Sequence, residues 1–209
     1  MISILNCATG NHGSVLNMLK KAGYKKEILL TADPTILDAS KAIIFPGVGN
    51  FENVMKSLLD RNLDKFLQNK FLQNKIFFLG ICAGMQVLFN SSEESKLKGL
   101  GYINSDLKKF RIINQKYKHY KIPHMGWNKI LVNTENLIVK DLLFDNRFYF
   151  THSYYASGVP NENVIAKVRY IEDFPCIVNQ GKVFGVQFHP EKSHKFGEKL
   201  FKNFLELIK

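Results

Sequence analysis

Two kinds of apolar pattern alternate along the first half of the chain. Short uninterrupted apolar runs occur in ISILN (2–6), KEILLT (26–31), KAIIFPG (41–47) and KIFFLGI (75–81). Between them lie stretches in which apolar residues recur every three or four positions: HGSVLNMLKKAGY (12–24), DPTILDAS (33–40), FENVMKSLLDRNLDKFLQN (51–69) and CAGMQVLFNSS (82–92). The first pattern predicts buried strands and the second predicts helices. Gly23 suits a helix C-terminus, and Asp33 followed by Pro34 suits a helix start. Strands apolar on both faces, alternating with helices, imply a mostly parallel sheet covered on both sides.

From about residue 100 the pattern changes. GYINSDLKKFRII, YKIPHMGWNKILV, RFYFTHSYYAS, VIAKVRYI and PCIVNQGKVFGVQFHP read as strands and turns of antiparallel character. SHKFGEKLFKNFLELIK closes the chain as an amphipathic helix. No linker composition interrupts the chain, so residues 1–209 are expected to form one α/β domain with a β-rich second half. The tandem KFLQNKFLQNK (65–75) has a period of five. That fits neither a helix nor a solenoid, and predicts only a local duplication that lengthens a helix end.

Composition narrows the function classes. The chain has 209 residues, 45% apolar and 22% charged, an ordinary globular balance. Its apolar runs are too short for a membrane-spanning helix, and its N-terminus reads as a first strand without a basic leader. A cytoplasmic protein without membrane contact is the expectation. Cys7, Cys82 and Cys176 are odd in number and lack metal-ligand spacing, which predicts reduced thiols and neither a disulfide framework nor a zinc site. The net charge is +11. No block of five consecutive basic residues and no nucleic-acid motif accompanies it, so the charge predicts solvated surface rather than nucleic-acid binding.

The chemistry concentrates in GICAG (80–84), a cysteine between two glycines at the end of an apolar run. This is the thiol counterpart of a nucleophile elbow. Glycines at 80 and 84 permit a sharp strand-to-helix turn. Cys82 then sits at a helix N-terminus, where a thiolate is favoured, and the Ala83 N–H faces a developing oxyanion. A cysteine in an apolar run is otherwise a core residue. A base is offered by GVQFHPEKS (185–193). Pro190 ends the strand there and leaves His189 at its tip, where sites of open parallel sheets lie. Glu191, two residues on, can hold the imidazole. FPGVG (45–49) is a third signal: its small residues allow close backbone approach, and an N–H there can complete an oxyanion hole.

With PGVG, GICAGMQ, PHMGWN, FYFTHSYY and QFHPEKS in this order, the chain resembles the class I (triad) glutamine amidotransferases, and within them the HisH-type glutaminase subunits of imidazole glycerol phosphate synthase. The resemblance implies a flavodoxin-like sheet and glutamine as substrate. Cys82 would be the nucleophile, His189 the proton shuttle and Glu191 its orienting partner, with no metal or cofactor. It implies oxyanion donors from Ala83 and from the strand carrying Gly47 and Val48, the latter misoriented until a partner binds its ligand. It implies glutamine contacts from Gln86, Glu94 and the backbone of His152 and Ser153. Asn11, Pro123, His124, Trp127, Tyr149 and Lys192 match the face that meets a HisF-type (β/α)8 cyclase subunit, to which ammonia is channelled in a heterodimer.

Two stretches depart from the family pattern. The first loop reads NCATGN where D-x-G-x-G-N is common, and His194 stands where a second serine is common. These departures leave open a second acceptor, a sugar amidated in surface-glycan synthesis. A stand-alone cysteine hydrolase fits Gln86 and the H-P-E turn less well.

Overall fold

The computed structural model describes residues 1–142 and 146–209. The first half runs β1 (Ile2–Leu5), α1 (His12–Lys21), β2 (Ile28–Thr31), α2 (Pro34–Asp38), β3 (Ala42–Gly47), α3 (Phe51–Leu59), α4 (Leu63–Leu72), β4 (Phe77–Cys82), α5 (Ala83–Gln86) and β5 (Phe89–Ser92). The second half runs β6 (Ile103–Lys109), β7 (His124–Asn128), β8 (Leu131–Val132), β9 (Phe148–His152), β10 (Tyr154–Ser157), β11 (Val164–Arg169), β12 (Asp173–Gln180), β13 (Val183–Val186) and α6 (His194–Leu207). The local signals act as read: Gly23 is left-handed (φ +97°) just past α1, and the Asp33 side chain accepts the Thr35 N–H at 2.8 Å ahead of α2.

Among the described residues the main sheet has the order β2-β1-β3-β4-β13-β12-β11-β8. Strands β2, β1, β3, β4 and β13 run parallel, and β12, β11 and β8 add on antiparallel. Alternate residues of each central strand feed two separate apolar layers, as a two-sided sheet requires. Ile44, Leu79 and Ile81 join Val15, Leu19, Phe201 and Phe204 under α1 and α6. Ile43, Phe45 and Phe78 join Val54, Leu58, Leu67 and Phe71 under α3 and α4. Phe71 meets Phe78 edge-on at 4.9 Å.

The topological step that matters for chemistry is β13. It pairs parallel with β4, Val186 opposite Ile81, so the residues just beyond it lie beside Cys82. Gly197 makes the next step possible. A Cβ there would collide with the Pro190 carbonyl, so only glycine lets α6 pack against the turn after His189.

Two sequence expectations change. The helix expected over 82–92 ends at Gln86, and Phe89–Ser92 is instead a strand of a second sheet, order β10-β6-β5. Val87, Leu88 and Phe89 are all fully buried. A run apolar on every side does not report its period, so packing decided the conformation. The helix expected over 51–69 is two helices, broken where Asn62 turns left-handed (φ +54°). The duplicated KFLQN lengthens α4 as expected. Its second copy also supplies Asn74, whose Oδ1 accepts the Lys182 N–H at 2.9 Å and ties the helix end to the β12–β13 turn.

Candidate active site

Cys82 is the last residue of β4 and adopts φ +54°, ψ −112°, a conformation that costs energy for any side chain bearing a Cβ. Its surroundings hold it there. A Cβ on Gly84 would strike the Phe45 carbonyl, and one on Gly80 would lie 2.7 Å from Gly84 C, so both glycines are needed for the turn. Helix α5 has only four residues, which makes its field weaker than the sequence suggested. As its first residue, Ala83 still has an N–H with no acceptor inside the helix.

His189 lies just past β13. Its Nδ1 is 2.8 Å from Glu191 Oε1, and both side chains are buried. That leaves Nε2 for Cys82. Burial alone would lower the imidazole pKa. Hydrogen bonds and charge attraction from Cys82 and Glu191 outweigh burial and raise it to about 9. Glu191 Oε1 also accepts the Asn11 Nδ2–H at 2.7 Å. The Asn11 side chain thereby supports the carboxylate.

A match to the family model for class-I glutamine amidotransferases covers residues 3–207. The chain belongs to this family. It is 43% identical over 206 residues to a Methanococcus maripaludis protein named imidazole glycerol phosphate synthase subunit HisH 2, covering 99% of both chains. It is 40% identical over 207 residues to the imidazole glycerol phosphate synthase subunit HisH of Leptospira borgpetersenii, covering 99% of this chain and 100% of that one. Among solved structures, a glutamine amidotransferase superimposes with a TM-score of 0.75 at 20% identity over 99% of this chain and 98% of its own, a likeness of fold.

The remaining residues of this glutamine amidotransferase fall into three groups around the cysteine. Val48, in the glycine loop after β3, donates its N–H to Thr9 O at 2.7 Å. That N–H is therefore held by the first loop. Gly47 is packed so closely that a Cβ would lie 2.6 Å from Gly84 N, which brings the loop against the cysteine turn.

The second group lines the other side. Gln86 donates Nε2–H to Tyr154 O at 3.3 Å and to Gln187 Oε1 at 3.2 Å, so its own Oε1 is the end left for a ligand. Glu94 Oε2 accepts the Phe51 N–H at 2.7 Å, capping α3 directly after the glycine loop. Ser153 O accepts the Phe110 N–H at 3.0 Å. His152 Nδ1 donates to Tyr154 O at 2.8 Å, so Nε2 is the acceptor for His124 Nδ1 at 3.0 Å. Burial pushes the His124 pKa down to about 4. Burial, then the charges of His124 and His189, push His152 down to about 3.

The third group is aromatic. Trp127 stacks on His194 at 5.2 Å and meets Tyr149 edge-on at 6.0 Å, while Lys192 Nζ stands 5.8 Å above the Tyr149 ring. Pro123, Met125 and Trp127 are exposed on this side. The face reaches the catalytic strand directly, since the His189 N–H donates to Tyr149 O at 2.9 Å. His124 does not share it. His124 is buried, stacked on Tyr170 at 3.9 Å and Phe150 at 4.7 Å. On β7 alternate side chains face opposite sides, and the parity of Met125 and Trp127 sends His124 inward.

Sequence reasoning missed Met125, 62% exposed, and Gln187, fully buried. A signal for Gln187 was present: it is the one amide in the apolar run VFGVQF. Among the described residues no His/Cys/Asp/Glu cluster could hold a metal, and no helix is long and apolar enough to cross a membrane.

Proposed function

We propose that this chain is the glutaminase subunit of an imidazole glycerol phosphate synthase, a single cytoplasmic domain over residues 1–209 acting in histidine biosynthesis. The observation that carries the reading is the junction of β4 and β13, where a strained cysteine meets a histidine fixed by a buried carboxylate. Full-length identity to proteins named for that synthase supports the pathway and favours it over a sugar acceptor.

The chemistry follows from the residues. The Cys82 thiolate attacks the side-chain amide carbon of glutamine. The oxyanion that forms is met by the Ala83 N–H and, once released from Thr9, by the Val48 N–H. Protonated His189 gives its proton to the departing ammonia, leaving a γ-glutamyl thioester. Neutral His189 then takes a proton from water, which attacks the thioester and releases glutamate. Glu191, itself steadied by Asn11, keeps the imidazole in the tautomer this requires. Gln86 Oε1 and Glu94 are acceptors suited to the amino group of the substrate.

With Val48 bonded to Thr9, the hole has one donor ready. A partner that draws the glycine loop away from the first loop would supply the second, which limits waste of glutamine when no acceptor is present. The partner is a HisF-type (β/α)8 subunit docking on Pro123, Met125, Trp127, Tyr149 and Lys192. Its contact is transmitted to His189 through Tyr149, and ammonia passes to it shielded from water.

The test is a substitution in the assembled complex. Cys82→Ser should abolish glutamine-dependent turnover while leaving turnover with added ammonium. Glutamine-dependent turnover at the parent rate would refute the assignment.

A further inference from the structure

Gln187 stands outside every role assigned above. It is fully buried beyond the end of β13, level with Cys82 across the β13–β4 pairing. Its backbone N–H donates to Cys176 O at 2.9 Å, so its position is fixed by the sheet. A buried amide in an apolar strand costs free energy unless its hydrogens and oxygen are used.

The polarity of its side chain is set by a neighbouring carbonyl. Tyr154 O can only accept. The end of Gln86 that faces it, at 3.3 Å, must therefore be the Nε2 amide. That same Nε2 faces Gln187 at 3.2 Å, so the Gln187 atom there must be the acceptor Oε1. Gln187 Nε2 is left on the other side, 3.8 Å from Cys82 Sγ. The chain Tyr154 O, Gln86, Gln187 has one consistent direction, and it ends with an N–H aimed at sulfur. For a protonated thiol the acceptors at hand are His189 and, at 4.0 Å from Sγ, Thr151 O.

We propose that Gln187 is a fourth functional residue of the catalytic centre: it donates a hydrogen bond to Cys82 Sγ, favours the thiolate over the thiol, and aims the sulfur at the substrate. A donor of this kind is stronger toward an ionised acceptor than toward a neutral one. No other group need ionise, because the amide is uncharged at every working pH. The same chain links the nucleophile to Gln86, so the sulfur and a proposed glutamine contact are held by one row of hydrogen bonds. The inference deepens the glutaminase reading and rests on it for the identity of the substrate. The titratable groups around the sulfur are His189 beyond β13, Glu191 on the following turn, and His152 of β9 with His124 behind it. All of them stay in place in the experiment below.

The experiment compares the parent with Gln187→Met and Gln187→Glu as full chains. The rate of Cys82 alkylation by iodoacetamide is followed by mass spectrometry of the Cys82 peptide, which separates it from Cys7 and Cys176. Rates are measured from pH 5 to pH 10. Met keeps the bulk and removes the donor. Glu keeps the acceptor toward Gln86 and places an acceptor at the sulfur. Thiolate fraction falls tenfold for each unit of rise in thiol pKa. The alkylation midpoint should move up by about one pH unit in Gln187→Met, with about a tenfold slower rate at pH values below the parent midpoint, and at least as far in Gln187→Glu. A purely structural role would leave the midpoint in place. If the folded variants, checked by circular dichroism, titrate with the parent, the proposal is wrong; either variant alone decides it. A glutamine-like thiol alkylator tested on the parent separates the two readings. Failure to label Cys82 in the presence of partner would remove the glutaminase reading, while the midpoint shift would still establish the hydrogen bond.

Discussion

The buried histidine pair makes this protein sensitive to mild acid in a way that can be calculated. His124 and His152 are both neutral in the folded chain, with pKa values pushed from 6.5 down to about 4 and about 3. Once unfolded, each regains an ordinary pKa near 6.5. Between these values the unfolded chain binds protons that the folded chain refuses. The stabilisation is therefore complete above pH 6.5 and is lost as pH falls toward 4. From pH 6.5 to 5.0 each imidazole forfeits about 1.6 kcal/mol, and the two together about 3 kcal/mol. His189 has the opposite sign. Its pKa is raised to about 9, so its contribution is fully present below 6.5, lost as pH rises through 9, and nearly constant across this window. Surface carboxylates such as Glu52, Glu93 and Glu198 have their pKa values lowered by hydrogen bonds and neighbouring cations, which moves their titration away from this window. Urea unfolding followed by far-ultraviolet circular dichroism at pH 6.5 and 5.0 checks the figure. A loss under about 1 kcal/mol would mean that the pair accepts a proton at little cost and that the burial argument fails.

Three further outcomes follow from single contacts. Asn11→Ala removes a hydrogen bond to a buried carboxylate, a contact of about 1.5–3 kcal/mol, and should lower kcat about tenfold or more with KM little changed. Gly197→Ala forces a methyl group onto the Pro190 carbonyl. It should cost about 2 kcal/mol or more in urea unfolding and slow Cys82 labelling, because the turn carrying Glu191 must shift. If the proposed HisF-type partner docks on this face, Trp127→Ala should weaken its binding by about 2 kcal/mol, roughly thirtyfold in Kd, measured by titration calorimetry.

How much of this was legible in the sequence depends on where each signal is encoded. The parallel sheet was legible because its strands are short apolar runs bounded by helical patterns, a local property. The turn at Cys82 and the placing of His189 and Glu191 at a strand end were legible because the elbow glycines and Pro190 impose local backbone geometry. The conformation of 87–92 was not, since Val87, Leu88 and Phe89 are buried on all sides and carry no period. The inward turn of His124 required its strand's parity, which becomes fixed only when β7 pairs with β9. The contact of Asn11 with Glu191 was not legible, because nothing local ties the first loop to residue 191; only the fold brings them together. The direction of the Gln86–Gln187 amides depends on one carbonyl, that of Tyr154, contributed from a distant strand.

Under the proposed function, Cys82 hydrolyses glutamine under control of a partner subunit. The most direct measurement is glutamate release from glutamine by the full chain, alone and with a HisF-type cyclase loaded with its ribonucleotide, for the parent and Cys82→Ala. A large rise is expected for the parent with the loaded partner, and none for Cys82→Ala. Equal release by both chains, or no release by the parent together with no labelling of Cys82 by a glutamine analogue, would contradict it.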